Sequence, residues 1–315
     1  MLNKLIHPIR ISTPFAVGDV FSYLINDQKT VLVDCGYNDE KSLSTVSNHL
    51  QEHDLCLSDI DEIWLTHGHP DHFGLAAKLA DRYGAAIYGH PKERSNFAGN
   101  DDRELFRTFF KEHGIPVTFV KVMIEQLQWL QQFQQPVEPE WVEDNDELSS
   151  GELRVKVKHT PGHAPGHIVL HYDDEVIFGG DLLLEHISTN ALINFDPDSG
   201  RRNQSLLQYR KSLQWIRKQQ GMVLPGHGKI IKNAAVVAEH HLKEHEKRFE
   251  TIQQLLRKDP LSLMEISQKI FPDAIKKGAI FLVLSEVMGY LDWGEEEGSI
   301  QREKVADSIK FQVSE

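Results

Sequence analysis

Short apolar runs alternate with amphipathic stretches along the first 230 residues. Leu5–Ile11, Val20–Asn26 and Thr30–Asp34 are rich in Val, Ile, Phe and Tyr and are separated by the turn pairs Gly18-Asp19 and Asn26-Asp27, which predicts three strands. Residues 39–53 read as a helix. Glu62–Thr66 reads as a strand that ends at His67, Leu75–Tyr83 as a helix stopped by Gly84, and Ala86–Tyr88 as a strand. Residues 92–135 break this rhythm. They predict a helical insert interrupted at Gly114-Ile115-Pro116, with Val120, Met123, Ile124, Leu127 and Leu130 at helical spacing in its second half. The β pattern returns at about 139 and gives Leu153–Lys158, His167–His171 and Glu175–Phe178. A helix over 203–218 then leads to a strand, Met222–Leu224, running into Pro225-Gly226-His227-Gly228.

After about residue 233 the texture changes. A long polar helix covers 233–258, and Ser262 with Glu265 forms a capping box for a helix reaching Phe271. Residues 278–291 are helical, and two alternating segments, 299–305 and 308–313, flank a turn. Three helices followed by a hairpin is the order of a winged helix. The expected division is therefore a catalytic-type body over 1–232 and a small winged-helix-like α+β domain over 233–315.

Charge narrows the partners. Among 315 residues, 34 Lys+Arg face 47 Asp+Glu, a net of −13 that repels phosphate backbones and argues against general nucleic-acid binding. The segment predicted as the tail's third helix, GAIFLVLSEVMGYLDW, has no basic side chain to enter a groove, so packing or homodimerisation is its expected role. No stretch is apolar enough to span a membrane, and the N-terminal MLNKLIHPIRIST has no apolar core of a signal peptide. Two cysteines, Cys35 and Cys56, make no disulfide framework, and a cytoplasmic location is expected. Cys35 reads as a small buried filler.

The chain's 17 histidines carry the chemistry. Thr66-His67-Gly68-His69-Pro70-Asp71-His72 sets three imidazoles and a carboxylate at a strand-to-helix junction, the ligand types of borderline divalent ions. His67 and His69, two apart on an extended loop, can reach one ion, whereas Asp71 and His72 open the next helix and point elsewhere. A catalytic metal usually takes three protein ligands, so this supply suggests two. Further candidates follow predicted strands and sit beside glycine: His163 in Thr160-Pro161-Gly162-His163, Asp181 in Gly179-Gly180-Asp181, and His227 in Pro225-Gly226-His227-Gly228. Asp181 is the natural bridging carboxylate.

These motifs, in this order, resemble the metallo-β-lactamase superfamily over residues 5–230, in the hydrolase branch similar to glyoxalase II. The resemblance implies an αββα sandwich of two mixed β-sheets with metals at one edge. It also implies one ion on His67, His69 and His163, another on Asp71, His72 and His227, and Asp181 between them. Asp34, in Val33-Asp34-Cys35-Gly36, matches the family's early aspartate, which stands behind the ligands; His167 is expected to act there too. The expected cofactor is a pair of divalent ions, zinc first, with iron or manganese compatible. The expected nucleophile is a hydroxide held between them, with Asp71 as the group that takes its proton.

Departures from the family's patterns refine the function. Antibiotic-hydrolysing members commonly have cysteine where Asp181 stands, and many lack a histidine at the place of His72. Flavodiiron proteins have glutamate at the place of His69. Acyl-homoserine lactonases place tyrosine three residues after the bridging aspartate, where this chain has Leu184. A winged-helix tail differs from the helical glutathione-binding domain of glyoxalase II. The expected activity is hydrolysis of a small ester, thioester or lactone. An endoribonuclease or phosphodiesterase, known among winged-helix relatives, is the first alternative, and a non-catalytic metal-bound scaffold the second. His240, His241 and His245 are expected on a solvated helix face, and His7, His90, His159, His171 and His186 as ordinary surface or core positions. In the insert, Phe106, Phe109, Phe110, Met123, Leu127 and Trp129 supply either the apolar wall of a substrate lid or its packing onto the body.

Overall fold

A computed structural model describes residues 4–100, 102–306 and 308–314. Three parts of the sequence reading reach beyond these residues: the start of the N-terminal segment (1–3), Asp101 in the insert, and Asp307 and Glu315 in the tail.

Two mixed sheets face one another. The first runs in chain order, β1 (Ile6–Ile11), β2 (Val20–Asn26), β3 (Thr30–Val33), β4 (Ile60–Trp64), β5 (Ala86–Gly89) and β6 (Glu140–Trp141). Its first three strands pair antiparallel and the rest parallel. The second contains β7 (Glu147–Ser149), β8 (Arg154–His159), β9 (Ile168–Tyr172), β10 (Val176–Gly180) and β11 (Met222–Pro225) in the spatial order β11-β10-β9-β8-β7; only β10 and β11 are parallel. Val31, Val33 and Trp64 of the first sheet interleave with Val155, Val157, Leu170 and Phe178 of the second to form the central core. The outer face of the first sheet (Leu24, Leu32, Ile63) is covered by α1 (Glu40–Gln51) and α3 (Ala76–Tyr83), the short α2 (Pro70–Phe73) lying between them in sequence. Helix–sheet–sheet–helix layering follows, as the motifs implied.

The outer face of the second sheet is covered by α7 (Ser205–Ile216) and α8 (Ala234–Leu256). The insert forms α4 (Arg94–Phe97), α5 (Arg103–Glu112) and α6 (Val117–Gln131), with the break where Gly114 and Pro116 predict it. The tail continues through β12 (Leu261–Ser262), α9 (Leu263–Ile270), α10 (Pro272–Lys276), α11 (Ile280–Glu296), β13 (Ile300–Val305) and β14 (Ser308–Val313), with the three strands paired β12-β14-β13. Ser262 and Glu265 do form the capping box of α9. A single apolar cluster runs from Val169, Ile177 and Val223 through Tyr209 and Leu242 to Leu284, Tyr290 and Phe311, so body and tail share one core on this side.

One expectation is corrected here. His240 is exposed, but His241 and His245 are buried rather than solvated. The buried stripe of α8 includes Ala238, Leu242, Phe249 and Ile252, and both imidazoles complete it by bonding the loop above: His241 Nε2 to the Leu184 carbonyl at 2.8 Å and His245 Nε2 to Ser188 Oγ at 3.0 Å. In the insert, Phe109, Phe110 and Met123 join the shared core, Trp129 packs against Phe15 and Phe133, and Phe106 and Leu127 line a cavity beside the site described next.

Candidate metal centre

Strand ends deliver the polar cluster to one edge of the sandwich. β4 leads to His67 and His69, α2 carries Asp71 and His72, the turn after β8 carries His163, and β10 and β11 end next to Asp181 and His227. His67, His72 and His227 are buried, as are Asp71, His163 and Asp181, while His69 is half-buried. Donor atoms gather within 4.8 Å of one another in three overlapping groups: His67, His69 and His163; His67, His72 and Asp181; and Asp71, His72 and His227. All seven side chains named from the sequence therefore meet in one place.

The surroundings fix which nitrogen of each ring faces inward. Asp34, at φ +56, accepts from Thr66 N–H, from Thr66 Oγ and from His72 Nδ1, each at 2.8 Å. Thr66 Oγ gives its only proton to Asp34, so it accepts at 3.0 Å from His67 Nδ1. His163 Nδ1 donates to the Asn190 carbonyl at 3.1 Å and His227 Nδ1 to that of Asp19 at 2.8 Å. Four imidazoles thus turn Nε2 towards the centre, held by partners of the kind that orient metal-binding histidines. His167, behind them, bonds Thr160 Oγ through Nδ1 at 2.9 Å and accepts the Asp181 backbone N–H through Nε2 at 3.1 Å.

Among the inward atoms, two arrangements leave donors that a cation would satisfy. His69 Nδ1 lies 3.0 Å from His67 Nε2 and 2.9 Å from His163 Nε2. Burial, reinforced by the neighbouring imidazoles, holds the pKa of His67 well below the ordinary value and that of His69 at about 3, and burial lowers that of His163; a proton on His69 Nδ1 satisfies only one of its two neighbours. On the other side, His72 Nε2, His227 Nε2 and Asp181 Oδ1 are buried without any hydrogen-bond partner. Asp181 spans both groups, with Oδ2 3.5 Å from His163 Nε2 and 3.6 Å from His227 Nε2, and Oδ1 3.5 Å from His72 Nε2. Burial opposes a charge on His72, yet the Asp181, Asp34 and Asp71 carboxylates raise its pKa well above the ordinary value, and His227 is raised in the same way. The pocket calls for positive charge, and N/O donors of this kind suit divalent ions. Close approach needs glycine: a Cβ on Gly226 would overlap Asp181 Oδ1 and stand 2.6 Å from His72 Cε1.

One residue escaped the sequence reading. Glu93, fully buried, accepts from the backbone of both His67–His69 and His163–His167 loops through Gly68 and Gly166. Nothing in its local sequence marks it, since a glutamate near a helix start is ordinarily a surface residue. A cavity of about 250 Å³ opens beside His69 and His163. Its walls include Phe106, Leu127 and Leu130 of the insert, Phe195, and Phe281 of α11, with Lys92 and Asn100 among its polar lining. A second cavity, of about 380 Å³, reaches His227 past Arg10, Phe21 and His186.

Comparison with known proteins agrees with this architecture. The sequence model of the Metallo-beta-lactamase superfamily matches residues 16–227. A curated relative, the probable metallo-hydrolase YqjP of Bacillus subtilis (strain 168), is 30% identical, the alignment covering 97% of each chain. Among solved structures, a metallo-beta-lactamase family protein from Thermus thermophilus superposes with a TM-score of 0.86 at 25% identity over 100% of both chains. The subclass B3 metallo-beta-lactamase BJP-1 of Bradyrhizobium japonicum, 17% identical with a TM-score of 0.53, covers 78% of this chain and 94% of its own.

Proposed function

The chain belongs to the Metallo-beta-lactamase superfamily, and from that premise we propose that it is a dinuclear metal hydrolase acting on a small ester, thioester or lactone. One observation carries the reading: Asp181 lies between two sets of converging donors, with buried, unpartnered Nε2 atoms of His72 and His227 on one side and three crowded ring nitrogens on the other. His67, His69 and His163 would hold one cation and Asp71, His72 and His227 the other, with zinc the first choice. Bound cations would supply Lewis acidity towards a substrate oxygen and a water.

The protein's own groups do the rest. Asp34 keeps the Nδ1 proton on His72, and His167 holds the Asp181 backbone in place. Burial opposes ionisation of Asp71, but His72 and His227 bring its pKa below the ordinary value. Ionised, it offers Oδ2, 3.3 Å from His227 Nε2, as the acceptor for a proton from an attacking water. The apolar cavity beside His69 and His163 supports an acyl group as the part of the substrate that enters there. Aspartate at 181 and histidine at 72 support the glyoxalase II-like branch over the antibiotic-hydrolysing one, and histidine at 69 supports it over the flavodiiron one. The element order from α8 to β14 supports a winged-helix tail, and two free cysteines, one buried and one exposed, are compatible with a reducing cytoplasm.

Elemental analysis of the purified protein, followed by a panel of thioesters, lactones, aryl esters and bis(p-nitrophenyl) phosphate, tests the proposal. Two metal equivalents and acyl hydrolysis are expected, with Asp181→Ala and His69→Ala each losing orders of magnitude of turnover while circular dichroism is unchanged. Activity confined to the phosphodiester, or near-native turnover in both variants, would overturn it.

A further inference from the structure

Glu93 belongs to neither metal loop, yet it touches both. It ends the single 3-10 turn Pro91–Glu93 at the base of the insert and is fully buried. Oε1 accepts from Gly166 N–H at 2.6 Å; Oε2 accepts from Gly68 N–H at 3.0 Å and from Asn96 Nδ2 at 2.6 Å. Gly68 separates His67 from His69, and Gly166 sits between His163 and His167 in the other loop. Both loops lack a side chain where the carboxylate enters: a Cβ on Gly68 would stand 2.6 Å from Glu93 Oε2, and one on Gly166 2.9 Å from Glu93 Cγ. Burial pushes the Glu93 carboxyl upward, and the bonds from Asn96, Gly166 and Gly68 offset this only in part. No cationic side chain is paired with it among the described residues, so two loop N–H groups and one side-chain amide are what hold a buried carboxylate here.

We propose that Glu93 is a positioning residue that fixes the spacing of His69 and His163, and thereby the affinity of the His67–His69–His163 group for its cation. His69 Nδ1 and His163 Nε2, 2.9 Å apart, come from the two loops that this carboxylate staples. Among the described residues, none of the seven bridges those loops by hydrogen bonds to their backbones. The proposal rests on the two-cation reading above and adds to it a residue outside the ligand set.

The test is a titration of Zn²⁺, and separately Co²⁺, into chelator-treated full-length protein against a competing chelator, for wild type and E93Q. The glutamine amide meets a loop N–H donor to donor in either orientation. One of the two stepwise affinities is expected to weaken by about 10–100-fold, with the other within twofold of wild type and far-UV circular dichroism unchanged. Glu93→Asp keeps the charge but is one methylene too short to reach both loops; it should show the same selective loss, and it serves if E93Q does not fold. Two unchanged affinities would overturn the proposal. So would equal weakening of both with a lowered melting temperature of the metal-free protein, which is the mark of a general structural role. Wild-type protein that takes up no cation would sink the dinuclear reading and this one together.

Discussion

His245 and His113 predict a steep loss of stability in mild acid. His245 lies within α8 with the rings of Tyr209 and Tyr290 at centroid distances of 5.8 and 6.2 Å, its Nε2 on Ser188 Oγ and its Nδ1 without a partner. Burial, together with the cations of Arg210 and Arg248, brings its pKa to about 3. His113 donates from Nδ1 to the Phe109 carbonyl at 2.8 Å, and burial brings its pKa to about 4 despite that bond. In the unfolded chain both titrate near 6.5. Below that value the unfolded state binds protons that the folded state refuses. The contribution is therefore complete above about pH 6.5 and is lost as pH falls, at about 1.4 kcal/mol per pH unit for each ring. At pH 5, still above both folded values, each ring has cost about 2 kcal/mol. Together that is a large share of a typical stability of roughly 5–15 kcal/mol. The perturbation is His245→Gln, and the assay is urea unfolding from pH 7.5 to 4.5. The quantity read is the difference in slope between variant and wild type, because proton uptake by the metal centre is common to both. The variant should start less stable at pH 7.5 and fall less steeply, by about 1.4 kcal/mol per pH unit. Parallel curves would refute the reasoning.

Two further outcomes follow. Asp34→Asn places an NH₂ either against His72 Nδ1–H or against Thr66 N–H, since both carboxylate oxygens accept protons; cation affinity should drop by about 10–100-fold in a chelator-competition titration, and an affinity within twofold of wild type would count against the tautomer argument. A chain ending at residue 232 strips α8 from the outer face of the second sheet and α11 from α7, and exposes apolar side chains such as Tyr209 and Leu213 of α7; it should be insoluble or bind a hydrophobic dye, as judged by sedimentation and dye fluorescence.

Much of this was legible in the primary structure because the ligand set is local. His67, His69, Asp71 and His72 fall within six residues, and the other three each sit next to glycine after an apolar strand, so residue type, spacing and turn chemistry all point one way. Asp34 and His167 were legible only as motif neighbours; their hydrogen bonds to Thr66, His72 and Asp181 depend on which strands lie side by side. Glu93 was illegible because its partners, Gly68 and Gly166, lie 25 and 73 residues away and offer only backbone N–H groups, which carry no residue-type signal. His241 and His245 misled for a related reason. A helix in which Glu, His and Lys fill every position but Leu242 from 239 to 247 reads as solvated, and only the loop from 182 to 195 supplies the Leu184 carbonyl and Ser188 hydroxyl that make two buried imidazoles tolerable.

That loop also changes what the tail does for the site. Between Asp181 and α7 the chain passes through Leu184, Ser188, Asn190 and Ile193 with little regular structure of its own. Several of its bonds run outward to the tail: His241 and His245 of α8 hold Leu184 and Ser188, Ser285 Oγ of α11 accepts from Ile193 N–H at 3.1 Å, and Arg202 pairs with the buried Asp292. Its bond to the ligand set is the Asn190 carbonyl on His163 Nδ1. A carbonyl can fix the tautomer and aim of a ligand only as firmly as it is itself fixed. Part of what steadies the carbonyl on His163 therefore comes from the C-terminal helices, well downstream in the chain. The same helices wall the apolar cavity through Phe281. The orientation of His163 and the wall of the apolar cavity thus draw on the same packed element, which is a physical reason for body and tail to share one hydrophobic core rather than meet across a polar seam.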